Sequence, residues 1–64
     1  MTQIRKIRRM NDYTQEFVAN TLGITQTIYS QKESGKVKFS VVEALKLAKL
    51  YNTTVEELFG EIIM

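Results

Sequence analysis

The stretch from Thr14 to Gly35, TQEFVANTLGITQTIYSQKESG, constrains the fold more than any other part of the chain. Val18, Ala19 and Leu22 recur at the spacing of one helical face, and Thr14 stands where an N-cap belongs. A first helix is therefore predicted from Gln15 to about Thr21. Gly23 follows, tolerant of the positive φ at which a helix stops. Thr25 then caps a second helix, predicted over Gln26 to about Ser34 and closed by Gly35. Two short helices joined by a tight turn form a helix–turn–helix, the motif that places its second helix in a DNA major groove. A plain αα-hairpin shares that periodicity. The front of the second helix favours DNA: Gln26, Thr27, Ser30 and Gln31 are uncharged, and each can donate and accept hydrogen bonds, which suits base edges.

Sixty-four residues make one small domain, expected to span 1–64. A chain of this size buries only about 60% of its unfolded surface. Without Cys or His it has neither a disulfide nor a zinc site to reinforce it. Reinforcement must come from tight helix packing or a partner chain. The absence of Pro, and three Gly each near a predicted helix end, suit an all-α bundle. No apolar run is long enough to span a membrane, and the basic N-terminus precedes no apolar stretch of the kind a secretory signal needs. The expected location is cytoplasmic, and nucleoid-associated when bound to DNA.

Charge is unevenly distributed. Residues 1–38 hold seven basic and three acidic side chains, a net +4; residues 39–64 hold two basic and four acidic, a net −2. A positive half around the motif fits phosphate contacts, and an acidic end would be kept away from DNA. For any single Lys, a solvated surface position is the simpler reading.

Around the motif, a first helix is predicted over about Thr2 to Asn11, with Ile4 and Ile7 on its buried face and Met10 close to it. Arg5, Lys6, Arg8 and Arg9 fill the rest; four basic residues in five fit a DNA-binding arm, but the amphipathic pattern with Ile4 and Ile7 buried favours a mostly solvated surface. Arg8, next to the buried stripe, is expected to turn inward and need an acidic partner. After Gly35, Lys36 and Lys38 lie in a link that can reach phosphates. Ser40 and Glu43 form a capping box for a helix over about Val41 to Tyr51, with Val41, Leu45 and Ala48 as its buried stripe and Ala44, Leu47 and Tyr51 beside them. Asn52 is placed to end it. Thr54 and Glu57 open a short last helix, Val55 to Phe59.

These pieces together resemble a family. IRKIRR, TQEFVANTLGIT, the E-x-G of Glu33-Ser34-Gly35 and SVVEALKLAKLYNTTVEELF, at their spacings, are similar to the Xre-type helix–turn–helix proteins: repressors and Cro proteins of temperate phages and their bacterial relatives. The resemblance covers roughly Ile4 to Phe59. TIYSQKESGKVKF looks most like phage-type regulators of Gram-positive bacteria. The resemblance implies a five-helix fold with the motif in helices 2 and 3. It also implies roles for residues. Gln15 would meet a phosphate through its side chain and N–H, in keeping with a helix N-terminus. Thr25 would cap and touch the backbone. Gln26, Thr27 and, a turn later, Gln31 would read bases. Ser34, Lys36 and Lys38 would contact phosphates, and Arg8 and Glu33 would pair. The chain departs from the family at Tyr29 and Lys32, where aliphatic residues usually face the core, and at Phe17, often polar. Tyr29 fits if its hydroxyl finds a partner. Lys32 must snorkel to solvent or contact a phosphate. Phe17 either covers the gap above the first helix or stays exposed.

No feature suggests catalysis: the usual general base and thiol nucleophile are missing, and no Gly-rich phosphate loop is present. No cofactor, metal or small-molecule ligand is expected. Phe59, Ile62, Ile63 and Met64 have two readings, a tail folded onto its own core or a dimer seam. The seam is favoured because twofold pairing doubles the contacts of a small groove reader. The expected function is a sequence-specific regulator, a repressor or Cro-like homodimer on inverted-repeat double-stranded DNA. The alternative is an antitoxin or adaptor that mainly grips another protein. A third reading, the excised N-terminal domain of a longer repressor, is disfavoured by the apolar ending.

Overall fold

The computed structural model describes residues 3–60. Five helices follow one another: α1 (Ile4–Met10), α2 (Gln15–Leu22), α3 (Gln26–Glu33), α4 (Val41–Leu50) and α5 (Val55–Phe59), with no strand among the described residues. The body measures 28 × 22 × 19 Å. The all-α class and the five-helix order expected from the sequence are therefore what the chain adopts.

Local signals set the boundaries. Thr14, Thr25, Ser40 and Thr54 each accept a hydrogen bond from the backbone N–H three residues on, at Phe17, Ile28, Glu43 and Glu57. These bonds satisfy N–H groups that a helix start otherwise leaves unpaired. At Ser40 the box is complete, since the Glu43 carboxylate also accepts from the Ser40 N–H at 2.9 Å. Four helices stop through a left-handed residue: Asp12, Gly23, Gly35 and Asn52. Around Asn52, Asn52 N–H donates to Lys49 and Thr53 N–H to Ala48, the paired closure of a Schellman turn. Helix α1 lacks a side-chain cap; its start is tied instead to α5, where Gln3 N–H donates to the Leu58 carbonyl at 3.3 Å.

The core is built from Ile4 of α1, Val18, Ala19 and Leu22 of α2, Tyr29 of α3, Leu47, Ala48 and Tyr51 of α4 and its end, and Leu58 of α5. Helix α2 packs on α3 and α4, and α4 on α5. The aromatic rings join these layers. Tyr13 stacks on Tyr51 at 5.9 Å between centroids, and Phe39 meets both Tyr29 (6.1 Å) and Phe59 (5.5 Å) edge-on.

The expectations for α1 and α4 change. Helix α1 is shorter than expected, and Met10 is exposed rather than near the core. On α4, Val41 (76% exposed) and Leu45 (57%) do not belong to the buried stripe; burial begins at Leu47 and Ala48. The covered face of α4 is centred on Leu47, Ala48 and Tyr51, with Ala44 half-buried, and Val41 and Leu45 lie at its edge. Of the two readings of Phe17, the exposed one holds, with its ring leaning on Tyr13 at 4.7 Å.

Candidate nucleic-acid interface

The connection between α2 and α3 is short because both ends are locally determined. Gly23 holds φ +77, Ile24 packs against the core, and Thr25 caps α3 through the Ile28 N–H at 3.2 Å. The Thr25 hydroxyl accepts that bond, so its own proton is left to donate outward.

Helix α3 divides into two sides. Tyr29 and Glu33 are buried; Gln26, Thr27 and Gln31 are exposed, and Ser30 is half-buried between them. The polar side chains predicted to meet bases thus share the outer side of the helix. Ile28 joins them there, 42% exposed. The sequence reading, which took only hydrogen-bonding side chains as readers, passed over it.

What holds α3 in place is Glu33. The Arg8 guanidinium grips its carboxylate with Nε at 2.7 Å and Nη2 at 3.2 Å, while Arg8 Nη1 donates to the Tyr13 carbonyl at 2.9 Å. Gln15 Nε2 donates to Glu33 Oε1 at 3.0 Å, and the Tyr29 hydroxyl to Oε2 at 2.8 Å. The buried carboxylate therefore joins α1, the start of α2 and two turns of α3. Burial alone would push the Glu33 carboxyl up; the hydrogen bonds from Arg8, Gln15 and Tyr29 outweigh it and bring the pKa down to about 2. Burial, helped by the bond to Glu33, pushes the Tyr29 phenol up, so it stays a neutral donor. The Glu33 bond raises the Arg8 pKa against the opposing effect of burial.

Lys32, Gln15 and Arg5 acquire partners that the sequence did not disclose. Lys32 neither snorkels nor stands free for a phosphate: its ammonium meets Glu43 Oε1 at 2.6 Å, with both side chains nearly buried. The ion pair ties the last turn of α3 to the cap of α4, and Lys32 leaves the set of expected phosphate contacts. Gln15 has one amide hydrogen directed to Glu33, which leaves the second, and the N–H groups of Gln15 and Glu16 at the start of α2, for an anion. Arg5 adds a charge at the same place. Its Nε lies 3.5 Å from Glu33 Oε1, and the side chain is more than half exposed. The sequence favours a solvated Arg5 over a DNA-binding arm and gives no sign of this pairing, because only the fold brings residue 5 to residue 33.

Beyond α3, Ser34, Lys36 and Lys38 are all exposed. The Ser34 hydroxyl donates to the Gln31 carbonyl at 3.0 Å, so it must turn before it can donate to a phosphate. Gly35, at φ +90, lets the chain leave the helix, and the Lys36 and Val37 N–H groups both close on Gln31. Phe59, expected at a dimer seam, packs instead on Phe39 and the core of its own chain; Ile62, Ile63 and Met64 lie outside the described residues. No group of acidic or other metal-ligating side chains is gathered among the described residues, and none of their helices is long and apolar enough to cross a membrane.

A bihelical unit with a glycine turn, a capped second helix and a polar outer side defines a helix–turn–helix protein. A model of the helix-turn-helix family matches residues 4–58, and the chain belongs to that family. It is 30% identical over 60 residues to the HTH-type transcriptional regulator AnsR of Bacillus subtilis, covering 94% of this chain and 52% of that protein. An uncharacterized HTH-type transcriptional regulator of Archaeoglobus fulgidus is 34% identical over 58 residues, 91% of this chain and 83% of the other. The chain thus spans about half the length of the Bacillus relative. The Xre-type resemblance read between Ile4 and Phe59 accords with this match.

Proposed function

We propose that the chain is a transcriptional regulator that binds double-stranded DNA in a sequence-specific manner, with α3 in the major groove. The observation that carries this reading is the outer side of α3. Gln26, Thr27 and Gln31 are exposed together there, while Tyr29 and Glu33 hold the helix firmly on the domain. Base readout needs such a rigid platform, because a mobile reader loses the geometry that separates one base pair from another. Gln15, Thr25, Ser34, Lys36 and Lys38 surround that face and serve as phosphate contacts, joined by Arg5 beside Gln15. The relatives named as transcriptional regulators support the same reading.

The chain acts as a homodimer on an inverted repeat, in the manner of phage repressors and Cro proteins. Val41, Val42 (61% exposed) and Leu45 form an apolar face on α4, and a second copy covers it. This face replaces Phe59 as the proposed seam. The test is selection of bound duplexes from random sequence, followed by affinity measurements across salt. An enriched inverted repeat and a steep loss of affinity with salt support the reading. Absence of any enriched sequence, with salt-independent capture of a protein partner, favours an adaptor or antitoxin instead.

A further inference from the structure

On α3 the inward positions belong to Tyr29 and Glu33, and Lys32 is drawn toward α4. At about 100° per residue, Ile28 stands about 100° round the helix from Tyr29 and about 140° from Glu33, on the exposed flank between Lys32 and Gln31 and less than one turn before Gln31. It is the one apolar side chain of α3 that faces outward, 42% exposed, and its backbone N–H is fixed by Thr25. A lone exposed aliphatic group is ordinary on a protein surface. This one is set among hydrogen-bonding side chains, on a β-branched residue whose rotamer a helix restricts. The base edges of the major groove present one apolar group, the C5-methyl of thymine.

Resting on the DNA-binding reading above, we propose that Ile28 is a specificity-determining residue that packs on a thymine methyl, next to the base pairs read by Gln26 and Gln31. The amides distinguish donors from acceptors; Ile28 distinguishes thymine from cytosine at the neighbouring step by burying its methyl away from water.

The experiment uses a duplex that the protein itself selects from random sequence. The duplex is made once with thymine and once with deoxyuridine throughout, so that only the methyl groups differ. The unmodified chain should prefer the thymine duplex by about four-fold for each methyl it covers. Ile28→Ala should bind the two duplexes equally, and Ile28→Val, which keeps the branched methyls, should retain most of the preference. Circular dichroism confirms that both variants are folded. The assignment is overturned if Ile28→Ala keeps the thymine preference of the unmodified chain, or if the unmodified chain has none. Failure to select any duplex overturns the DNA-binding reading together with it.

Discussion

Two residues show how chemistry divides between reading and holding. Gln26 stands exposed at the front of α3, where its amide can make a bidentate contact to an adenine edge. Gln26→Ala is expected to lower affinity for the selected site by about 1–3 kcal/mol and to relax preference at one base-pair position; a site library with unchanged preferences would refute that role. Glu33 does the holding. Its carboxylate receives Arg8, Gln15 and Tyr29 in the interior, so removing either member of the Arg8 pair strands a buried charge. Arg8→Ala or Glu33→Ala should cost about 3–5 kcal/mol. At about 0.05–0.15 kcal/mol per residue the 64-residue chain has about 3–10 kcal/mol in all, so either variant should lose a large share of its stability and unfold at much lower urea; a loss under about 1 kcal/mol for both would contradict this role. The pH dependence has a definite sign. The Glu33 pKa falls from an ordinary 4.5 to about 2 on folding. Its contribution is thus fully present above pH 4.5 and is lost as pH falls toward 2. Acid titration of the unmodified chain should show this, and Glu33→Gln should flatten the stability profile across that window.

At the scale of the helices, the ion pair between Lys32 and Glu43 makes α3 and α4 one unit. Glu43 does double duty, accepting from Lys32 and from the Ser40 N–H within its capping box. Burial would raise its carboxyl, but the bonds from Lys32 and Ser40 bring it down. Glu43→Ala should therefore destabilise the fold more than Lys32→Ala, by about 1 kcal/mol, the worth of a cap; equal losses in denaturant midpoints would mean that the box contributes nothing. This element also marks how far the sequence was legible. Caps and stops are local, and Thr14, Gly23, Thr25, Ser40 and Asn52 were readable because each acts within three or four residues of itself. Periodicity was readable where a helix is covered along its length, as in α2. It misled at Val41 and Leu45 because a stripe says which side is apolar, not whether anything lies against it. The partner of Lys32 is eleven residues away and that of Arg5 twenty-eight, so neither pair has a local signal. Glu33 was reached through family resemblance, and its link to Tyr29 only through the fold.

For the whole molecule, the exposed face of Val41, Val42 and Leu45 and the charge distribution point the same way. The basic half carries the residues proposed to face DNA, and α4 offers an apolar surface in the acidic half. Exposed apolar clusters of this kind tend to mark partner surfaces. Val42→Asp with Leu45→Asp should shift sedimentation equilibrium toward monomer and abolish cooperative binding, with helical content unchanged; a dimer of undiminished strength would place the seam elsewhere. A twofold dimer sets its recognition helices about 34 Å apart, one turn of DNA. The most direct test of the account is therefore the sequence recovered when the chain selects duplexes from a random pool. An inverted repeat with half-sites about one helical turn apart is expected, bound with an affinity that falls steeply with salt. A pool that emerges without any preferred sequence would contradict it.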